Sequence, residues 1–226
     1  MKKGFGDSLK KKTKKESRYL RFYNDEKLAN DLLKNNNIES AKKIYINLLE
    51  NGYKIYGVYF KLGLIFLNQK KFKEALEFLL QAKLLSKRND LKLIFGIFNC
   101  YLALKDFEKA KSILQEGIKI YPKEELLIFN YARIEQDLLN FRKAIKLYEE
   151  GLKLNPNNYK ALSNLGRLLQ QIQSHPRAIE IYKKAINLRP DISHLKVSFL
   201  ASKAHACDWS DPEYNKSLLK SIDLED

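Results

Sequence analysis

Residues 159–190 read YKALSNLGRLLQQIQSHPRAIEIYKKAINLRP. Leu162, Leu165, Gly166 and Leu169 recur at steps of three, one and three, a spacing that gathers them on one face of a helix. A second pattern follows: Ala178, Tyr182 and Ala185 share a face of their own, and Pro190 ends the segment, because proline has no N–H to donate to the preceding turn. Small residues on these faces let another helix approach closely. Taken alone, the stretch predicts two amphipathic helices joined as a hairpin.

The same hairpin recurs along the chain. Ala41, Ala75, Ala110, Ala144 and Ala178 follow one another at a near-constant interval of about 34 residues. Four positions after each alanine stand Tyr45, Leu79, Leu114, Tyr148 and Tyr182; seven after stand Leu48, Ala82, Gly117, Gly151 and Ala185. Twelve after, the last three units carry Pro122, Pro156 and Pro190, and three before, the middle units carry Phe72, Phe107 and Phe141. Upstream of each alanine lies a second amphipathic stretch, as in Tyr59, Leu62, Gly63 and Phe66. A fixed period of this length marks a repeat array, whose units bury their apolar faces only by stacking on one another.

Over residues 22–190 this pattern resembles the tetratricopeptide repeat family. The resemblance implies an all-α fold: a right-handed superhelical solenoid of five hairpins, near 22–55, 56–90, 91–124, 125–158 and 159–190. Residues 191–226 then form a capping helix and C-terminal segment, with Leu195, Phe199 and Ala206 spaced to cover the last hairpin. Departures from the family pattern are local. Asp25 stands where a large apolar residue is usual, His175 replaces the aromatic of the fifth unit, and Tyr53 and Lys87 replace the terminal proline of the first two, which predicts looser turns there.

The resemblance also implies a concave wall made by the first helix of each pair. Fifteen positions before the alanine, that wall carries Glu26, Phe60, Phe95, Phe129 and Ser163. Three successive Phe rings make a ladder able to anchor an extended peptide with little loss of entropy; the competing reading packs the same rings as core. Eleven before lie Asn30, Leu64, Asn99, Arg133 and Arg167, and eighteen before lie Lys92 and Lys160 among others. Lys92, Arg133, Lys160 and Arg167 make the later units basic, which favours acidic peptides through electrostatic steering. Asn130 and Asn164, fourteen before the alanine, carry amides that both donate to and accept from the backbone of a bound chain. The carboxylate clamp of chaperone-binding tetratricopeptide domains is matched at Asn99, Asn130 and Arg167, but Phe95 and Ser163 stand where its lysines belong.

Charge is unevenly spread along the 226 residues, whose net charge is +15. Residues 1–22 hold nine Lys/Arg against two acids, and residues 191–226 hold four against seven. The Lys-rich start, residues 1–18, is expected to be a disordered basic tail that keeps the protein soluble, with contact to nucleic acid or an anionic membrane surface as the alternative. It lacks the base-reading side chains that sequence-specific nucleic-acid recognition needs. No apolar run reaches the ~20 residues of a membrane span, and no apolar block follows the first lysines as a signal peptide requires. Two distant cysteines, Cys100 and Cys207, point to reduced thiols and a cytoplasmic location. Abundant Lys, Asn and Ile fit an AT-rich bacterial genome.

Chemistry is harder to find. His194 and His205 stand about three helical turns apart, too far along one helix to share a metal ion. No Gly-rich phosphate loop, Ser-His-Asp set or carboxylate pair stands out, so neither catalysis nor a cofactor is expected. Residues 207–211, CDWSD, resemble the junction between repeats and sugar-transfer domain in O-linked N-acetylglucosamine transferases. Only the short stretch from Pro212 to Asp226 follows, which leaves no room for that catalytic domain within this sequence. The sequence therefore predicts a non-catalytic scaffold that binds a partner protein or peptide in its groove, with the targeting region of a glycosyltransferase as the alternative.

Overall fold

The computed structural model describes residues 5–86 and 90–222, with side chains from residue 16 onward. Its described residues form twelve α-helices and no strand: α1 (Phe5–Lys34), α2 (Ile38–Glu50), α3 (Tyr56–Asn68), α4 (Phe72–Leu85), α5 (Leu91–Ala103), α6 (Phe107–Ile120), α7 (Glu125–Asp137), α8 (Phe141–Leu154), α9 (Tyr159–Gln171), α10 (His175–Leu188), α11 (Ser193–His205) and α12 (Pro212–Lys220). The chain divides into two compact units, Met1–Lys109 and Ala110–Asp226.

One backbone device recurs after α1, α3, α5, α7, α9 and α11. Asn36, Lys70, Lys105, Leu139, Gln173 and Cys207 all have positive φ, between 51° and 61°. Each sits just past the first helix of a pair. Around Lys70, the Lys71 N–H donates to the Phe66 carbonyl and the Lys70 N–H to the Leu67 carbonyl; the same two bonds recur at Leu139, where Asn140 donates to Glu135 and Leu139 to Gln136. This is the left-handed closure that satisfies the last carbonyls of a helix and reverses the chain. It keeps the period of the alanines and runs past the fifth of them to Cys207, so α11 and α12 form a sixth, shortened hairpin.

In the first unit α1 packs on α2, α3 on α4, and α5 on both α3 and α4. Ala29, Ala41, Tyr45, Val58 and Leu62 are fully buried there. The Tyr45 hydroxyl donates to Asn30 Oδ1 at 2.8 Å, so the buried phenol keeps a partner. Helix α1 begins at Phe5 and runs through most of the stretch expected to be a disordered tail. No Gly or Pro interrupts residues 7–34, and Lys is a good helix former. Met1–Gly4 lie outside the described residues. The turn after α2 is tied rather than loosened by Tyr53: its ring lies 5.2 Å from Phe22 and its hydroxyl donates to Glu26 at 3.0 Å. Lys87 lies outside the described residues.

In the second unit α7 packs on α8, α9 on α10, and α10 on α11, with α9 also touching α7 and α11. One core joins Phe129, Tyr148, Leu165, Tyr182, Leu195 and Phe199. Its helices approach closely at glycine. A Cβ on Gly166 would come within 2.7 Å of the Tyr182 ring. The Tyr182 and Tyr148 hydroxyls donate to Gln170 Oε1 and Gln136 Oε1 at 2.9 and 3.4 Å. Prolines 122 and 156 fall in the turns just past α6 and α8, where the chain must leave the helix.

The C-terminal segment is held by two lysines of α11, each only 5% exposed. Lys196 Nζ donates to the Ser221 carbonyl at 2.7 Å, and Lys203 Nζ to the Ser210 carbonyl at 2.7 Å and its hydroxyl at 3.0 Å. Asp208, 3.4 Å from Lys203, supplies the counter-charge. A buried ammonium requires such partners.

Candidate peptide-binding face

In the second unit α7, α9 and α11 are the first helices of successive pairs, and contacts between them make one continuous wall. Asn130 and Arg133 of α7, and Asn164 of α9, are half-buried on it; Lys160 and Arg167 of α9 are exposed. Asn130 spends its amide N–H on the Leu126 carbonyl of its own helix, at 2.8 Å. Asn164 Oδ1 accepts a long 3.4 Å bond from Arg167.

Arg133 and Arg167 hold the same repeat position on adjacent first helices. Burial pushes the Tyr148 phenol up to about 12, while Arg167 and Arg133 both pull it down and Asp137 pushes it up. A pair of cations so placed suits a carboxylate-bearing ligand, because guanidinium binds carboxylate through two parallel bonds.

Two of the three rings expected to form a ladder pack inward, each within its own unit. Phe129 is 9% exposed and belongs to the core. Gly151 on α8 has no side chain at the crossing, and the Phe129 ring lies in the space this leaves. Phe60 is also 9% exposed and stacks on Tyr56 at 5.4 Å. Only Phe95 keeps partial exposure; it shares the outer row of α5 with exposed Lys92 and Asn99, in the first unit. Large apolar side chains do reach solvent on the second unit's wall, at Leu126 (45%) and Val197 (49%).

Arg167 also lines an open hollow of about 900 Å³ with Gln170, Gln171, Gln173, His175, Ala201 and His205. His175 and His205 stack there, ring centroids 5.0 Å apart, and His175 Nδ1 is buried without a partner. Gln170 is committed to structure: its amide donates to the Ser198 carbonyl and Ser202 hydroxyl at 3.0 and 2.8 Å. The sequence reading weighed His205 against His194, found them too far apart, and did not pair His205 with His175. The missing signal was the period itself: continued past Pro190, it carries Ser163, Arg167 and Gln171 onto Val197, Ala201 and His205, each one full repeat further on.

Among the described residues no group of three or more His, Cys, Asp or Glu is placed to hold a metal ion, and no helix is long and apolar enough to cross a membrane. Cys100 is buried, which pushes its thiol up to about 11, and Cys207 is exposed; both are free.

Comparison with known proteins agrees with this architecture. Tetratricopeptide repeat profiles match residues 26–89 and 131–191, and a further one matches residues 99–124. No curated protein sequence matches the chain. Among solved structures, YrrB, described as a TPR protein with an unusual peptide-binding site, is 19% identical, with a TM-score of 0.68 over 80% of this chain and 90% of YrrB. The C-terminal part of a TPR repeat-containing protein from Cytophaga hutchinsonii is 15% identical, with a TM-score of 0.76 over 87% of this chain and 77% of that one. Pseudomonas aeruginosa pilF is 18% identical, with a TM-score of 0.67 over 89% and 90%. With its periodic left-handed turns, paired helices and profile matches over more than half its length, the chain belongs to the tetratricopeptide repeat family.

Proposed function

We propose that the chain is a protein-interaction scaffold, and that α7, α9 and α11 hold an acidic segment of a partner protein in extended or helical form. One observation carries this reading: Arg133 and Arg167 occupy the same repeat position on neighbouring first helices, α7 and α9, and neither is fully buried. Asn130, Lys160 and Asn164 stand on the same wall to bond the ligand's backbone and acidic side chains, and Leu126 and Val197 offer apolar anchors. In the first unit Lys92, Phe95 and Asn99 form a row of like character on α5. That YrrB, which shares this fold, is described as having a peptide-binding site supports the assignment.

The test is anisotropy of labelled peptides, acidic and basic, matched in length and apolar content. Acidic peptides bind, and Arg133→Glu with Arg167→Glu weakens them by roughly tenfold for each guanidinium lost. Equal binding of basic peptides, or no effect of the reversals, refutes the proposal. The alternative, a glycosyltransferase targeting region with catalysis on another chain, has the likeness of residues 207–211 behind it; the profile matches are to repeats. It requires that the chain bind the acceptors of such an enzyme.

A further inference from the structure

Helix α1 shows a second surface, of a different kind. Its inner side docks on the first unit through Phe22, Ala29, Leu32 and Leu33. Its outer side leaves three large apolar side chains in water: Tyr19 at 63%, Leu20 at 60% and Tyr23 at 54% exposure. Spacings of three and four positions put all three on one helix face. Among the described residues nothing in the unit buries them, although Tyr19 touches Tyr53 edge-on at 6.0 Å.

The helix that carries this face is strongly basic in sequence. Residues 5–22 contain seven Lys/Arg and two acids. Arg18 braces the helix, donating to the Asn51 carbonyl at 2.6 Å, and Arg21 lies 3.9 Å from Asp25. Lys10, Lys11, Lys12, Lys14 and Lys15 precede them in the same helix. An apolar strip beside a dense cationic segment is the composition of helices that lie in the headgroup layer of a bilayer. Tyrosine suits that depth, since its ring is apolar and its hydroxyl stays wet.

We propose that α1 is a membrane-surface helix: Tyr19, Leu20 and Tyr23 enter the headgroup–acyl boundary of an anionic bilayer, and the lysine run pairs with its phosphates and carboxylates. Charge complementarity selects this occupant, and Leu20 decides against nucleic acid. An aliphatic side chain between two tyrosines gains from an acyl boundary, whereas a phosphate backbone offers it nothing. The surface belongs to the first unit alone, so it is independent of the peptide-binding proposal.

Vesicle co-flotation of the full-length chain tests it. Vesicles of phosphatidylcholine with roughly a third phosphatidylserine are compared with phosphatidylcholine alone, at low and at about 0.15 M salt. The chain floats with the anionic vesicles and not with the neutral ones. Replacing Lys10, Lys11, Lys14 and Lys15 by Gln lowers partitioning by about fivefold per charge. Replacing Tyr19, Leu20 and Tyr23 by Ser lowers it by about tenfold or more, with the helical signal of the folded chain unchanged because all three are exposed. No flotation with anionic vesicles at low salt overturns the proposal. So does full retention by the triple Ser variant, which would leave charge as the sole cause, or tighter binding to polyuridylate RNA than to the vesicles.

Discussion

Gly151→Ala separates a core phenylalanine from a binding-surface one. A Cβ built on Gly151 comes within 2.7 Å of Phe129 Cδ1 and 3.0 Å of Cζ, and closer still to Cε1. Carbon atoms in contact ordinarily sit about 3.5–4.0 Å apart. The ring is 9% exposed and walled in by the core, so it cannot swing aside freely. Overpacking of this kind destabilises by about 1–3 kcal/mol, partly offset by about 1 kcal/mol for removing glycine from a helix interior. The expected net loss is about 0–2 kcal/mol. Phe129→Ala alone should cost about 3–5 kcal/mol. In that background the new methyl meets empty space, and Gly151→Ala becomes neutral or stabilising. Urea denaturation followed by circular dichroism on all four proteins measures the coupling between the two sites. Additivity within about 0.5 kcal/mol, or a Phe129→Ala variant as stable as the parent, would refute the packing argument and return Phe129 to the binding surface.

Other expectations follow from the same geometry. Leu139 is 69% exposed at φ 61°, so Leu139→Gly relieves left-handed strain without losing burial and raises stability by about 0.5–1 kcal/mol in the same denaturation assay. Burial raises the Glu135 carboxyl, but bonds from Lys143 at 2.6 Å, Asn140 at 2.8 Å and Tyr131 outweigh it and hold the group below its usual 4.5. A depressed folded-state value means stability that is present above about pH 4.5 and lost as pH falls through the folded value; Glu135→Gln should lower stability at neutral pH by about 1–3 kcal/mol and flatten the acid limb of the stability–pH curve. Lys203→Met frees the Ser210 carbonyl and hydroxyl. The single tryptophan, Trp209, lies beside them and is 73% exposed, so its fluorescence anisotropy should fall in that variant while overall helicity holds.

How far the sequence carries can be seen at particular residues. The alanine period fixes helix pairing because small residues at constant spacing have no other use on two amphipathic faces; Ala41, Ala75, Ala110, Ala144 and Ala178 are all 0% exposed. The fate of the phenylalanines was illegible, because position fifteen before the alanine borders both the wall and the neighbouring helix. What sends Phe129 inward is the missing side chain at Gly151, on the other helix of the hairpin, a pairing that only packing reveals. The sixth hairpin was hidden for a different reason. Pro212 stands where a sixth alanine would, so the side-chain signal lapses, while the backbone signal at Cys207 persists in a residue type that does not announce positive φ. His175 and His205, far apart in sequence, meet for the same cause.

The central claim, that the α7–α9–α11 wall receives an acidic partner segment, is tested most directly by mapping amide chemical shifts while an acidic peptide is titrated into the protein. The account predicts changes concentrated at Asn130, Arg133, Lys160, Asn164, Arg167 and Ala201. Changes centred on α8 and α10 instead, or a pattern that survives Arg133→Glu with Arg167→Glu, would contradict it.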